Sequence, residues 1–268
     1  MNKKDLKIHI IGAGVSGLIA ARILENHGFS PVVIEATDRA GGRVKTDLIE
    51  GYQLDHGFQV LLTAYPAAQK YLDYEALELQ KFLPGASIFS ANGQKLIGDP
   101  LRSPSLLFST LFSGIGNLSD KFKILKLNLA LKKKTLSAIF SETEQTTQSY
   151  LTGFGFSDEI ISDFFRPFFS GIFLETQLET SSRMFKFVFK MFAKGDATLP
   201  KSGIEAIPKQ LLDNLKTTSF KYHVKVETVK ENEISLKDGS CLKSDYTIIA
   251  TEASELVSNL KNQSTEWK

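Results

Sequence analysis

Apolar runs and amphipathic stretches alternate in a fixed order along the first 60 residues. The run Ile8 to Ile11 is followed by a Gly-x-Gly-x-x-Gly motif at residues 12–17, and apolar residues then recur at helical spacing from Leu18 to Leu24. A second apolar run, Pro31 to Ile34, comes next. This order predicts a strand, a tight turn, a helix and a second strand, which together form a βαβ unit.

The three glycines of this motif suit a turn that binds a pyrophosphate. Gly12 permits the sharp turn out of the strand, Gly14 lets backbone N–H groups approach phosphate oxygens, and Gly17 allows close packing of helix on sheet. The N-terminus of the helix adds unpaired N–H groups and the positive end of its dipole. The alternative is a Rossmann-like turn that binds no nucleotide.

Glu35 ends the second apolar run, eighteen positions after Gly17. At this place a dinucleotide-binding unit puts a carboxylate that accepts hydrogen bonds from ribose hydroxyls. Such a carboxylate favours an unphosphorylated ribose, so NADP is the least expected ligand. The residues predicted to bind the dinucleotide are Gly12, Ala13, Gly14, Val15, Ser16, Gly17, Glu35 and Ala36.

A basic loop with paired glycines follows Glu35. Gly41 and Gly42 permit close approach of the backbone, and the planar guanidinium of Arg43 can bind phosphate oxygens through two hydrogen bonds. Here, and again from Gly51 to Val60, the sequence resembles the flavin-containing amine oxidase superfamily, which includes monoamine oxidases, protoporphyrinogen oxidases and phytoene-desaturase-like enzymes. Loops of this kind are not usual in nicotinamide dehydrogenases.

The resemblance implies that the cofactor is FAD. It implies that Arg43 lies near the pyrophosphate, that Val226 supplies backbone hydrogen bonds to the adenine, and that the segment 57–59 lies beside the isoalloxazine ring. Some relatives attach the flavin through a cysteine, but Cys241 does not match that context, so we expect non-covalent FAD and an inert, partly buried thiol. The resemblance adds Gly41, Gly42, Arg43, Gly57, Phe58, Gln59 and Val226 to the predicted cofactor-binding residues.

The organisation of the chain changes near residue 75. Of the 20 phenylalanines, 17 lie between Phe82 and Phe192, among amphipathic helical patterns. The segment from Leu199 resembles the point at which the family's flavin domain resumes, before a β-meander and a buried parallel strand that ends at Thr251. The predicted fold class is α/β, with a Rossmann-like, glutathione-reductase-like FAD-binding domain (1–75 and 199–268) interrupted by a mostly helical substrate or cap domain (76–198).

Two segments of the predicted cap domain each allow two interpretations. The stretch Arg166 to Leu174, in which Pro167 is expected to stop a helix, forms either a wall of the substrate cavity or ordinary core. The residues 183–194 place four basic side chains on one helical face, which indicates either peripheral contact with an anionic membrane or a buried helix with snorkelling lysines. The lysines at 121, 123, 126 and 132–134 are interpreted as a solvated helix face.

Composition narrows the possible partners and compartment. The 32 basic and 30 acidic residues leave a net charge of +2, which does not favour a nucleic-acid partner. One cysteine and four scattered histidines predict neither a disulfide nor a metal site, and a single cysteine suits a reducing compartment. No stretch reaches the ~20 continuous apolar residues that span a bilayer. We therefore expect a cytoplasmic protein, with peripheral membrane contact as the alternative.

The resemblance implies an oxidoreductase that transfers a hydride from a small hydrophobic substrate to FAD. No catalytic acid or base is identified: His56 either moves protons or, as we favour, holds the local backbone. Family members normally continue into more substrate-domain sheet and a second glycine motif, for which this sequence has no counterpart. The alternatives are therefore a catalytically incomplete FAD-binding fragment, half of a split flavoenzyme with a complementing polypeptide, and, more weakly, a nicotinamide-dependent reductase.

Overall fold

The computed structural model describes residues 3–57, 60–90, 93–98, 102–111, 114–253 and 256. The chain divides into two compact units. Unit 1 comprises residues 1–60, 69–80 and 199–268, and unit 2 comprises residues 61–68 and 81–198. Among the described residues, no helix is both long and apolar enough to cross a membrane.

Fourteen strands and ten α-helices are assigned within the described residues. The strands are β1 (Ile8–Ile11), β2 (Val32–Ile34), β3 (Thr46–Ile49), β4 (Tyr52–Asp55), β5 (Leu61–Leu62), β6 (Gln80–Lys81), β7 (Gly85–Ser90), β8 (Gly93–Gly98), β9 (Ala197–Leu199), β10 (Ser219–Lys221), β11 (Val226–Lys230), β12 (Glu233–Leu236), β13 (Cys241–Lys243) and β14 (Tyr246–Ile249). The helices are α1 (Val15–Asn26), α2 (Pro66–Tyr71), α3 (Leu107–Leu111), α4 (Leu118–Lys133), α5 (Leu136–Phe140), α6 (Thr147–Phe154), α7 (Asp158–Ile160), α8 (Arg166–Phe173), α9 (Ser182–Lys194) and α10 (Ala206–Asp213).

A four-stranded parallel sheet in the order β10-β2-β1-β14 forms the centre of unit 1. All four residues of β1 are buried, as expected for a strand with neighbours on both sides. Leu18 and Ala21 of α1 pack with Ile10 and Val33 of the sheet and with Leu211 of α10. The predicted α/β class and Rossmann-like βαβ unit are confirmed.

The end of unit 1 forms a meander and an edge strand. Strands β11, β12 and β13 pair in order as an antiparallel sheet, as the sequence predicts. Strand β14 pairs in parallel with β1, but its residues are exposed or only partly buried, because it lies at the edge of the described sheet. The expectation of a partly buried thiol is also wrong: Cys241 opens the outer strand β13 and is exposed.

Unit 2 is organised around an aromatic core. Phe165, Phe169 and Phe185 are fully buried and stack or meet edge to face. Within the stretch Arg166 to Leu174, which forms α8 and its C-cap, Phe169 therefore belongs to this core. Pro167 does not stop a helix: the π-helix Ile161–Phe165 leads directly into α8, and Pro167 lies in the first turn of α8.

The basic face of α9 points into unit 2. Lys186 and Lys190 are only 2% and 3% exposed. The Lys186 ammonium pairs with Glu142 and lies 4.0 Å from the centre of the Tyr150 ring, while the Lys190 ammonium donates to carbonyl oxygens of Leu131, Lys132 and Lys134 at the end of α4. Burial, followed by the Glu142 charge, raises the pKa of Tyr150 to about 12. The burial of these two lysines favours the second interpretation of residues 183–194, that of a buried helix.

The border between the units differs from the predicted border at residue 75. The segment 61–68 belongs to unit 2, because Leu61 and Leu62 pair antiparallel with Thr198 and Ala197 of β9. Residues 76–80 belong to unit 1, where the Lys201 amide donates to the carbonyl oxygen of Leu77. The return of the chain to unit 1 lies at Leu199.

Asp120 fixes the start of α4 in unit 2. Its fully buried carboxylate accepts hydrogen bonds from the amides of Asn117 and Ser157 and from the Ser157 hydroxyl. Burial alone raises the pKa of this carboxyl, but these hydrogen bonds outweigh burial and hold the pKa below its ordinary value.

We expect Asp120→Ala to lower the free energy of unfolding at neutral pH by about 1–3 kcal/mol, because the buried donors lose their acceptor. Since the folded pKa is lowered, this contribution is present above the unfolded pKa of about 3.9 and is lost as the pH falls through the folded value. The difference from the unmodified protein should therefore shrink in acid. Urea unfolding at several pH values measures this difference, and Asp158→Ala, at an exposed position, is the control. Equal losses in the two variants would contradict the role of Asp120.

Candidate cofactor site

Two glycines, one in the turn after β1 and one in the first turn of α1, lie where no side chain fits. Gly12 has a φ of +99°, and a Cβ there would lie 2.4 Å from a side-chain carbon of Thr251. A Cβ on Gly17 would lie 2.0 Å from the carbonyl oxygen of Gly12. The amide of Gly12 donates to the carbonyl oxygen of Ile34 at 2.8 Å, which joins the turn to β2. The helix N-terminus is therefore held directly beyond the carboxyl end of β1.

Gly14 is the N-cap of α1 and faces a second glycine segment. Gly14 and Gly41 form a parallel bridge, and the Gly41 amide donates to the carbonyl oxygen of Ala13 at 2.9 Å. Gly14 has a φ of −71°, and the nearest atom to a Cβ added there is the Cα of Gly42, at 4.0 Å. No side chain of the described residues caps α1. We call this arrangement, residues 12–17 facing 41–42 at an uncapped helix N-terminus, the glycine cradle.

Glu35 lies beside the glycine cradle, with its carboxylate already partly engaged. One carboxylate oxygen accepts from the Ala13 amide at 2.8 Å, and the other accepts from the amide and the hydroxyl of Thr37 at 2.9 and 2.8 Å. The residue is buried, and its charge adds to burial in raising the pKa of Tyr222. A carboxylate accepts about four hydrogen bonds, so the oxygen that faces Ala13 keeps one acceptor position.

The loop that follows Glu35 is held by contacts that the sequence did not reveal. Arg39 donates to Glu205 at 2.9 Å and to Asp47 at 2.7 Å. The other Glu205 oxygen accepts from the Thr46 amide at 2.9 Å, so one carboxylate from the second half of unit 1 fixes both ends of the loop. The ammonium of Lys45 is buried 3.2 Å from the Thr37 hydroxyl. No local spacing signals these pairs, since Arg39 and Glu205 are 166 positions apart.

His56 pairs with an acid on the neighbouring strand. Its Nε2 lies 2.7 Å from the Asp47 carboxylate, and its amide donates to the carbonyl oxygen of Lys45 at 2.9 Å. Hydrogen bonds from His56 and Arg39, in that order, lower the pKa of Asp47. This geometry favours the interpretation that His56 holds the hairpin of β3 and β4, and Gly57 follows it in an exposed turn with a φ of +77°.

The remaining predicted residues fall into three groups. Arg43 is exposed and follows Gly42 of the glycine cradle in the chain, Val15 and Ser16 belong to the glycine cradle, and Ala36 follows Glu35. Val226 is buried at the start of β11, two residues after Val224, whose amide donates to the Glu35 carbonyl oxygen at 3.0 Å. Phe58 and Gln59 lie outside the described residues. Within the described part of the chain, no cluster of three His, Cys, Asp or Glu side chains could hold a metal ion.

Comparison with known proteins identifies the family of this site. Residues 15–267 match the sequence profile of the flavin containing amine oxidoreductase family. The chain belongs to this family. Membership confirms the predicted resemblance and the prediction of FAD as the cofactor.

The relatives have low sequence identity to this chain but match it over long segments. The L-amino-acid oxidase of Protobothrops flavoviridis is 28% identical over 260 residues, which are 90% of this chain and 51% of the relative. Protoporphyrinogen oxidase 2 of Arabidopsis thaliana is 26% identical over 167 residues, which are 62% of this chain and 32% of the relative. The chain spans about half the length of the L-amino-acid oxidases that it matches.

Solved structures share the fold. An oxidoreductase from Methanosarcina mazei has a TM-score of 0.67 at 19% identity and covers 95% of this chain, which spans 61% of that structure. A putrescine oxidase variant has a TM-score of 0.65 at 19% identity, with coverages of 95% and 60%. These likenesses confirm the fold class.

We predict that Arg39 and Glu205 act as a coupled pair in fixing the loop. Arg39→Ala and Glu205→Ala should each destabilise the protein, and the double variant should lose less than the sum of the two losses, since either single change already breaks the contact. Urea unfolding of the unmodified protein, the two single variants and the double variant gives the coupling free energy. The exposed pair Lys201 and Glu78, also 2.9 Å apart, is the matched control and should show weaker coupling. Additive losses for Arg39 and Glu205 would contradict the prediction.

Proposed function

We propose that this chain binds FAD non-covalently, with the pyrophosphate in the glycine cradle. The observation that supports this proposal is that the N-terminus of α1 has no side-chain cap and faces a second glycine pair. A Cβ at residue 14 would project toward that pair. Backbone N–H groups at a helix N-terminus suit phosphate oxygens.

The proposal assigns each part of FAD to different residues. Residues 12–17 and 41–43 hold the pyrophosphate, with Arg43 as the cationic partner. The open acceptor position of Glu35 takes a ribose hydroxyl, Val226 offers backbone groups to the adenine, and Gly57, Phe58 and Gln59 lie near the isoalloxazine. The carboxylate of Glu35 repels a ribose phosphate, which favours FAD over NADP.

We further propose that the whole enzyme is an FAD-dependent oxidoreductase. The bound flavin supplies the capacity to accept a hydride from an oxidisable C–N or C–C unit. This chain's residues bind and orient the cofactor. The names of the relatives, L-amino-acid oxidase and protoporphyrinogen oxidase, support oxidation as the reaction. A small hydrophobic substrate is our proposal, supported by the partly buried phenylalanines that surround the core of unit 2.

A second proposal concerns turnover. We propose that oxidation requires protein segments equivalent to the half of the relatives' length that this chain does not match, supplied by the same or a complementing polypeptide. Because the family is flavin-containing, we do not propose a nicotinamide-dependent reductase. We propose the cytoplasm as the compartment, since the exposed, free Cys241 suits a reducing environment.

The binding proposal predicts that Gly14→Val abolishes FAD retention without unfolding the protein. The φ of −71° and the space around Gly14 allow a side chain in the fold, but that side chain would occupy the glycine cradle. The purified protein should be yellow, release flavin on denaturation and gain thermal stability from added FAD, because a ligand specific to the native state stabilises it by mass action. Flavin absorbance and FAD-dependent melting measure both effects.

The matched control is Gly153→Val, on the exposed side of α6, where an added Cβ meets no atom within 4 Å. It should retain FAD. Unchanged FAD retention in Gly14→Val, or a colourless unmodified protein that FAD does not stabilise, would overturn the binding proposal. Anaerobic bleaching of bound flavin by L-amino acids, amines and apolar substrates then tests turnover separately from binding.

A further inference from the structure

Helix α4 of unit 2 is apolar on two opposite faces. Leu127 and Leu131 are buried in the core of unit 2. Leu118, Phe122, Leu125 and Leu129 are 62%, 71%, 38% and 49% exposed. We call these four residues the exposed α4 face. Large apolar side chains scattered singly are normal on a protein surface, but four in one row on one helix are not.

The spacing of these residues aligns them along the helix. At about 100° per residue, the positions 118, 122, 125 and 129 lie within roughly 60° of one another and extend over ~16 Å of helix axis. On the same helical wheel, Lys121 and Lys132 lie on one side of this row, and Lys126 and Lys133 lie on the other. An apolar row with lysines along both edges is the arrangement of helices that lie in a membrane interface.

The charges along α4 are almost all positive, although Lys134 at its C-cap pairs with Glu142. Between residues 117 and 134 the sequence contains six lysines and a single acid, Asp120. The Asp120 carboxylate is buried and bonded to Asn117 and Ser157, as described above, so it faces away from the exposed α4 face. Lysine is depleted in protein–protein interfaces, whereas anionic lipid headgroups attract it.

We propose that the exposed α4 face docks the protein onto the surface of an anionic lipid bilayer. The four apolar side chains enter the boundary between headgroups and acyl chains, and the flanking lysines remain at the level of the anionic headgroups, with their stems along the apolar surface. The contact lies on a different element from the buried basic face of α9. It does not depend on the proposed FAD binding.

The test uses the full chain and sedimentation with sucrose-loaded vesicles of two compositions. One set is phosphatidylcholine alone, and the other contains phosphatidylserine. We expect binding to the second set, with weaker binding at high salt, because screening shortens the reach of the lysine charges. Phe122→Ser combined with Leu129→Ser, and Lys132→Gln combined with Lys133→Gln, should each weaken binding by about tenfold or more.

Matched controls distinguish binding through the exposed α4 face from non-specific hydrophobic or electrostatic adsorption. Leu174→Ser removes an apolar side chain that is 90% exposed outside α4, and Lys230→Gln combined with Lys237→Gln removes two exposed charges in unit 1. Both controls should bind as the unmodified protein does. Thermal melting and circular dichroism verify that all variants are folded, which we expect because every replaced side chain is exposed or partly exposed.

Three outcomes would overturn the proposal. The first is absence of binding to phosphatidylserine vesicles, and the second is equal binding to both vesicle sets. The third is a concentration-dependent dimer, seen in sedimentation velocity, that Phe122→Ser with Leu129→Ser abolishes while vesicle binding is absent. That result would assign the exposed α4 face to a second copy of the chain. FAD retention in the same variants should be unchanged, so failure of this proposal and failure of the FAD proposal are distinguishable.

Discussion

The contact between Gly17 and Gly12 sets the geometry on which the rest of unit 1 depends. No side chain fits at residue 17, because a Cβ there would lie 2.0 Å from the Gly12 carbonyl oxygen. The contact aims the N-terminus of α1 along the end of β1, an inner strand of the parallel sheet. The bridge from Gly14 to Gly41 and the bond from the Ala13 amide to Glu35 both start from this turn. The phosphate recognition that we propose is thus a property of the packing of one helix on one strand.

Polar contacts from the far part of the sequence complete the site. Glu205, which precedes α10, accepts from Arg39 and from the Thr46 amide, and Asp47 holds Arg39 and His56. The loop between β2 and β3 has few buried apolar residues of its own, so these charge-assisted bonds determine its shape. A site whose glycine motifs lie in the first 60 residues is therefore held in place by residues beyond 199.

The sequence was enough to predict local structure such as turns and strands, but not which side chains from distant segments contact the site. The glycine motif, the strand before it and the meander follow from spacing, because turns and strand periods are local properties. The partners of Glu35 and Arg39 depend on segments that folding brings together. The burial of Lys186 and Lys190 was an open alternative, since periodicity shows which side chains share a face but not what covers it. In α4, apolar residues on opposite faces hide the helical periodicity of the sequence. The structure was needed to show that Phe122 is exposed.

The parallel sheet of unit 1 takes its strands from both ends of the chain, and this has a consequence for synthesis. His9 of β1 pairs with Thr247 of β14, and about 240 residues at 5–20 residues per second separate them by roughly 10–50 s on the ribosome. Unit 2, which is nearly continuous in sequence, is complete before then. For that interval the apolar strand β1 has one unpaired edge, a feature that invites aggregation and chaperone binding in the newly made chain.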